Sequence, residues 1–239
     1  MGEQRFSVEQ MDSIMRLNNY LTEVNLTPIQ LYKKIQKECS QIIKLYQKEN
    51  RVFYRGVTSY PQWWKPKKVR IRSRIPKDTP KGTHLWLNDY FKKRFGWPGR
   101  NGVLATPRRY TANYYAGGND ENVYVFCPVN RYKFIYNPEI SDLYDTLPQE
   151  LKRPNPNLEI KLDTPEEAEK VYSDISGTNV DYFNKRMKKY TDKNLKNALT
   201  MGVEVMFNTK QYYLLPIKNG EYKGYPFDID DILGFEPIQ

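Results

Sequence analysis

Three short apolar runs constrain this chain more than any other feature. They are Phe53-Tyr54-Arg55-Gly56, Gly102-Val103-Leu104-Ala105-Thr106-Pro107 and Gly202-Val203-Glu204-Val205-Met206-Phe207. Each reads as a strand that delivers one polar residue out of an apolar run: Arg55, Thr106 and Glu204. A fold that satisfies all three needs a sheet, and it needs a reason to keep a charge at two of the three strand ends.

The rest of the chain supplies helices before that sheet and between its strands. Met11, Ile14, Met15, Leu17 and Leu21 follow helical spacing. A second helix starts at Thr27-Pro28-Ile29-Gln30, where Thr27 caps, Pro28 suits the first turn and Gln30 completes a capping box. Its apolar stripe is Leu31, Ile35, Cys39, Ile42, Ile43 and Tyr46, and Glu49-Asn50 ends it. From Arg51 the pattern becomes strand-like. Residues 83–95 read as a helix with Leu85, Tyr90, Phe91 and Phe95 inward, stopped by Gly96. Thr106-Pro107 caps a helix through Tyr115. Val123 to Cys127 and Tyr132 to Tyr136 are strong strands with a turn between them. Residues 146–163 form a Pro- and Asn-rich loop, and Thr164-Pro165-Glu166-Glu167 opens a helix to about Ser173. A further helix or pair spans roughly 179–199. Val203 to Phe207 and Tyr212 to Ile217 are the last strands of the core, joined as a closing hairpin by the turn Asn208-Thr209-Lys210-Gln211, with an edge strand near Phe227. The expected class is α+β: a helical segment over 1–49, then a core over 50–239 built on a mixed but antiparallel-rich sheet, in one domain.

Composition narrows the chemistry. One histidine, His84, excludes a His-rich metal site and any scheme that needs two imidazoles. The simplest reading of His84 is a helix surface or edge residue. Two cysteines build no disulfide framework, and Cys39 reads as a small buried helix residue. There is no secretory h-region, no run long enough to span a bilayer and no myristoylation pattern, so a cytoplasmic, non-membrane protein is expected. A net charge of +10 favours anionic partners: nucleic acid, nucleotide phosphates or an acidic protein face. The twenty Tyr suit both core and pocket.

Each polar residue has a plain reading, and two have a chemical one as well. Arg55 is an exposed arginine before a turn, or a fork that bonds two oxygens of a pyrophosphate while Gly56 lets the ligand approach the backbone. Thr106 reads as an ordinary helix cap. Glu204 is a solvent-facing strand position, or an acid with a task. Two acidic groups, Glu139/Asp142/Asp145 and Asp228/Asp230/Asp231, lie in turns and read as surface, so no metal is expected. No P-loop is present, and Gly96, Gly99 and Gly102 are too interrupted for a dinucleotide-binding turn.

Taken in order, the three runs resemble the arginine, serine-threonine-serine, glutamate pattern of the toxin-like ADP-ribosyltransferases. Asn88-Asp89-Tyr90-Phe91-Lys92-Lys93-Arg94-Phe95-Gly96-Trp97 before the middle run, and Tyr132 to Tyr144 after it, resemble a bacteriophage-encoded branch. The resemblance covers roughly residues 40–145 and 200–218. It implies NAD as substrate, without a metal, and a protein or nucleic-acid acceptor, in the host cytoplasm if phage-encoded. It implies that Arg55 holds the NAD phosphates or the nicotinamide ribose, that the Gly56 backbone bonds the nicotinamide amide, and that Thr106 and Ala105 support the pocket. Glu204 would accept the ribose 2′-hydroxyl and stabilise the ribosyl cation, and Tyr54 or Tyr110 would stack on nicotinamide. Ala105 and Pro107 stand where the pattern has serines. Gly202 stands where arginine-modifying members carry a second acid, which counts against arginine as the acceptor.

Two other readings remain at this point. One is a non-catalytic protein with the same fold. The other is a basic nucleic-acid-binding protein, carried by Lys65-Pro66-Lys67-Lys68-Val69-Arg70-Ile71-Arg72-Ser73-Arg74 and the adjacent Trp63 and Trp64. That alternating stretch equally suits a charge-guarded edge strand.

Overall fold

The computed structural model describes residues 26–59, 61–69, 79–153, 162–174, 178–217, 220–222 and 225–234. The expected helix around Met11 to Leu21 and most of the expected strand from Val69 to Ile75 lie outside the described residues. The architecture is α+β. Every strand pair among the described residues is antiparallel.

The chain enters through α1 (Pro28–Glu38) and α2 (Ser40–Glu49). Thr27 and Gln30 form the expected capping box, with each side chain bonded to the other's backbone N–H. The stripe read as one helix is broken at Cys39, yet it keeps one buried face: Leu31, Ile35, Cys39, Ile42, Ile43 and Tyr46 all enter the core. Asn50, in the left-handed region, ends α2.

Two small sheets follow. The first has the order β1 (Tyr54–Gly56), β4 (Val123–Pro128), β7 (Gln211–Pro216), β2 (Lys67–Lys68). The second has the order β3 (Val103–Ala105), β6 (Val205–Asn208), β5 (Lys133–Tyr136). The strands around 123–136 and 203–217 were expected as neighbours across a turn. Instead β4 and β5 belong to different sheets, and so do β6 and β7. No closing hairpin joins β6 to β7. The chain changes sheets at Thr209, a buried corner whose hydroxyl donates to the Gln211 carbonyl at 2.7 Å.

The second sheet is buried on both faces, and alternation decides which residue goes where. Val103, Ala105, Val205 and Phe207 join α1, α2 and the first sheet in the main core. Phe207 meets Phe126 at 5.0 Å and Phe53 at 5.4 Å. Met206 and Ile135 face a second core with α3 (Lys81–Phe95) and its buried Leu87 and Phe91. In α3 the inward set differs from expectation: Leu85 is exposed, while His84 and Asn88 are buried. Gly96 ends the helix at φ 78°.

After β3 come α4 (Arg109–Tyr115), α5 (Leu143–Thr146), α6 (Gln149–Lys152), α7 (Pro165–Asp174), α8 (Thr178–Met187) and α9 (Leu195–Met201). Thr164 and Glu167 make the expected reciprocal cap at α7. A hairpin of β8 (Gly220–Tyr222) and β9 (Tyr225–Phe227) leads to α10 (Ile229–Leu233). No helix among the described residues is long and apolar enough to cross a membrane.

Candidate active site

Among the described residues one backbone β-bridge joins the two sheets. Tyr54 N–H donates to the Thr106 carbonyl at 2.7 Å and Thr106 N–H donates back at 2.9 Å. Apart from that bridge each strand has its own ladder, β4 for β1 and β6 for β3. A cleft of about 570 Å³ opens there, a size suited to a cofactor-scale ligand.

Arg55 sits one residue past the bridge. Its Nη1 donates to the Leu104 carbonyl at 2.6 Å, and its guanidinium lies 6.0 Å from the Tyr212 ring centre. Its Nε is buried without a hydrogen-bond partner. The fork is thus anchored at one tooth and retains donors for a ligand. Gly56 next to it has a packing reason for lacking a side chain. A Cβ there would stand 1.9 Å from the Ala112 carbonyl oxygen of α4. Lys67, on the edge strand β2, also lines the cleft. Burial lowers its pKa, and the Arg55 guanidinium lowers it further.

Thr106 is buried, and its Oγ1 accepts from the Arg108 N–H at 3.2 Å. It therefore pins the turn between β3 and α4. It does not cap the helix, which begins after Arg108. Ala105 lines the cleft, but its methyl belongs to the main core. Glu204 also lines the cleft, just before β6. The β3–β6 register pairs Ala105 with Val205, so one step further sets Thr106 opposite Glu204. By alternation Glu204 shares a face with Met206, the side of the second core. Gly202, two residues earlier, is the left-handed cap of α9 at φ 73°, with the Arg108 side chain over it. The absence of an acid at that position thus has a backbone reason.

The cleft brings together Tyr54, Arg55, Gly56, Ala105, Thr106 and Glu204. Tyr110 is not with them: it is 85% exposed on α4, where the helix turns it to solvent. The cleft lining also holds residues that sequence reasoning missed: His84, Arg100, Asp142 and Tyr144. His84 is buried, which corrects its expected place on a helix surface. Its Nε2 lies 2.9 Å from Asn101 Oδ1 and 2.9 Å from Asn88 Nδ2. Asp142 caps α5 and accepts the Tyr115 hydroxyl, which ties the end of α4 to the start of α5 at the cleft. The signal for this part of the lining was present as the compact Phe95-Gly96-Trp97-Pro98-Gly99-Arg100-Asn101-Gly102 corner. A tight turn so rich in Gly and Pro fixes whatever side chain it carries.

The charges in the cleft are thus cationic on Arg55, Lys67 and Arg100 and anionic on Glu204 and Asp142. Burial raises the pKa of the neighbouring Tyr190 phenol. The Glu204 carboxylate raises it further, and the Arg100 guanidinium opposes that. Among the described residues no group of three His, Cys, Asp or Glu is placed to hold a metal ion. In the basic stretch, Lys67 and Lys68 form a sheet edge, and Arg70, Arg72 and Arg74 lie outside the described residues. Trp63 is buried in the main core against Trp64, so its ring is not free to stack on a base. Comparison with protein-family models, with curated proteins and with solved structures finds no match to the chain.

Proposed function

We propose that the cleft binds NAD and that the protein transfers ADP-ribose from it to a protein or nucleic-acid acceptor. The observation that carries this reading is the shared cleft of Arg55, Thr106 and Glu204, three residues from three separate strand ends. Their order resembles the toxin-like ADP-ribosyltransferase pattern.

The chemistry follows from the groups. Arg55 offers unspent N–H donors to phosphate oxygens. Tyr54, half-buried beside it, supplies a face for the nicotinamide ring. The C–N bond between ribose and nicotinamide breaks with its electron pair leaving on nicotinamide, which departs neutral. The ribose becomes oxocarbenium-like, as in glycoside cleavage. The Glu204 carboxylate stands at that developing charge and accepts the 2′-hydroxyl. A fixed anion in a part-enclosed site acts there without reorganising. The acceptor's nucleophile then forms the new bond and gives up its proton.

Nicotinamide release and NAD affinity test the assignment. Glu204→Gln keeps the shape and removes the charge, so turnover falls about 100- to 1000-fold while NAD affinity survives. Arg55→Ala weakens NAD binding first. A wild-type protein that binds no NAD rejects both roles. NAD binding without turnover in any lysate favours the non-catalytic reading, for which Ala105 in place of a serine is the specific observation.

A further inference from the structure

The cleft lining carries a charge, on Arg100, that the chemistry above does not use. Arg100 sits in a 3-10 turn, Gly99–Asn101, and is 7% exposed. A guanidinium has five N–H donors. Here one reaches Thr79 Oγ1 at 3.3 Å, and Nε is buried with no partner. No carboxylate among the described residues forms an ion pair with it. A buried cation left so is costly, unless an anion arrives.

The turn that holds Arg100 is bonded and packed against α3 and β6. Asn101 Oδ1 receives Asn88 Nδ2 at 3.0 Å and faces His84 Nε2. Gly99 lies against Phe91, and a Cβ on Gly102 would stand 2.7 Å from the Phe207 carbonyl oxygen. The charge is therefore held in place before any ligand comes.

We propose that Arg100 forms a second anion subsite of the cleft, separate from Arg55, and that it takes a phosphate group. That phosphate belongs either to NAD or to a nucleic-acid acceptor. The choice between those sources rests on the function proposed above, whereas the subsite itself does not. A planar fork with several free donors fits the tetrahedral oxygens of phosphate.

Inorganic pyrophosphate, ADP-ribose and a single-stranded oligonucleotide are the probes, titrated against the full chain and against Arg100→Gln and Arg100→Met. Pyrophosphate affinity is expected to fall about 10- to 100-fold in either variant. The melting temperature without ligand is expected to hold or rise, because an unpaired buried charge has been removed. An equal loss for ADP-ribose assigns the phosphate to NAD. A loss for the oligonucleotide with ADP-ribose unchanged assigns it to the acceptor. Pyrophosphate binding that depends on Arg100, in a protein that releases no nicotinamide, keeps the subsite and removes the transferase reading. Equal binding by wild type and variants, or no binding of any probe to wild type, overturns the subsite. Unfolding of both variants also overturns it, since the guanidinium would then serve the fold.

Discussion

A single methyl group tests how tightly the strand that carries Arg55 is held. Gly56→Ala would set a carbon 1.9 Å from the Ala112 carbonyl oxygen and 2.7 Å from the Ala116 nitrogen, both backbone atoms that cannot swing aside. Either α4 or β1 must move. We expect a loss of about 1–3 kcal/mol, the range for overpacking, seen as a lower urea midpoint. NAD affinity should fall with it, because β1 positions the Arg55 fork. An unchanged midpoint would mean that α4 does not seat against β1. Tyr110→Ala is the counterpart: its ring is 85% exposed, so NAD affinity and stability should both stay at wild-type values. A large loss of NAD affinity in that variant would bring Tyr110 back to the cofactor. At this scale the sequence was legible where a polar residue interrupts an apolar run, as Arg55 and Glu204 do. It was not legible where a polar residue is buried by a distant element. His84 and Arg100 look like surface in the sequence, and only the packing of the 3-10 turn on α3 puts them at the cleft wall.

Whole elements divide the same way. A capping box is a local device, so the starts of α1 and α7 could be read from four residues each. Thr27→Ala removes the hydroxyl that accepts the Gln30 N–H and should cost about 1 kcal/mol. The test is equilibrium unfolding beside Thr27→Ser, which keeps the acceptor and should stay near wild type. Equal loss in both variants would show that the box contributes nothing. Strand partners are not local. Alternation specifies an extended segment and its two faces, but not the sheet it joins. Asn208 to Gln211 looks like a hairpin turn between two strands. The Thr209 hydroxyl instead bonds the backbone at a corner, and β7 leaves for the other sheet. The cleft lies where the two sheets meet: Tyr54 and Thr106, the bridged pair, both line it.

At the scale of the whole molecule, part of the docking of the helical layer rests on donors that must keep their protons. α1 and α2 dock on β4 through the Tyr46 hydroxyl, which donates to the Phe126 carbonyl at 2.6 Å, and the Cys39 thiol, which reaches the Cys127 carbonyl at 3.5 Å. Burial pushes Tyr46, Cys39 and Cys127 up from their ordinary values, and for Cys39 the nearby Cys127 and Glu38 push in the same direction. The sign follows by linkage. Each folded-state pKa lies above the unfolded one, so the unfolded chain loses these protons first. Stability is full below the unfolded values, about 8.5 for Cys and 10 for Tyr. It falls as pH rises beyond them, by about 1.4 kcal/mol per pH unit for each group involved. Urea midpoints should therefore be level near neutrality and drop above about pH 9. Cys39→Ala removes one of these groups and should make the first part of that drop shallower, even if its midpoint at neutral pH is lower. A midpoint that stays level into that alkaline range would show that the helices do not dock through these donors. The same window bounds any test of the proposed NAD chemistry, since a loss of turnover there would report unfolding of the helical layer before it reported the role proposed for Glu204.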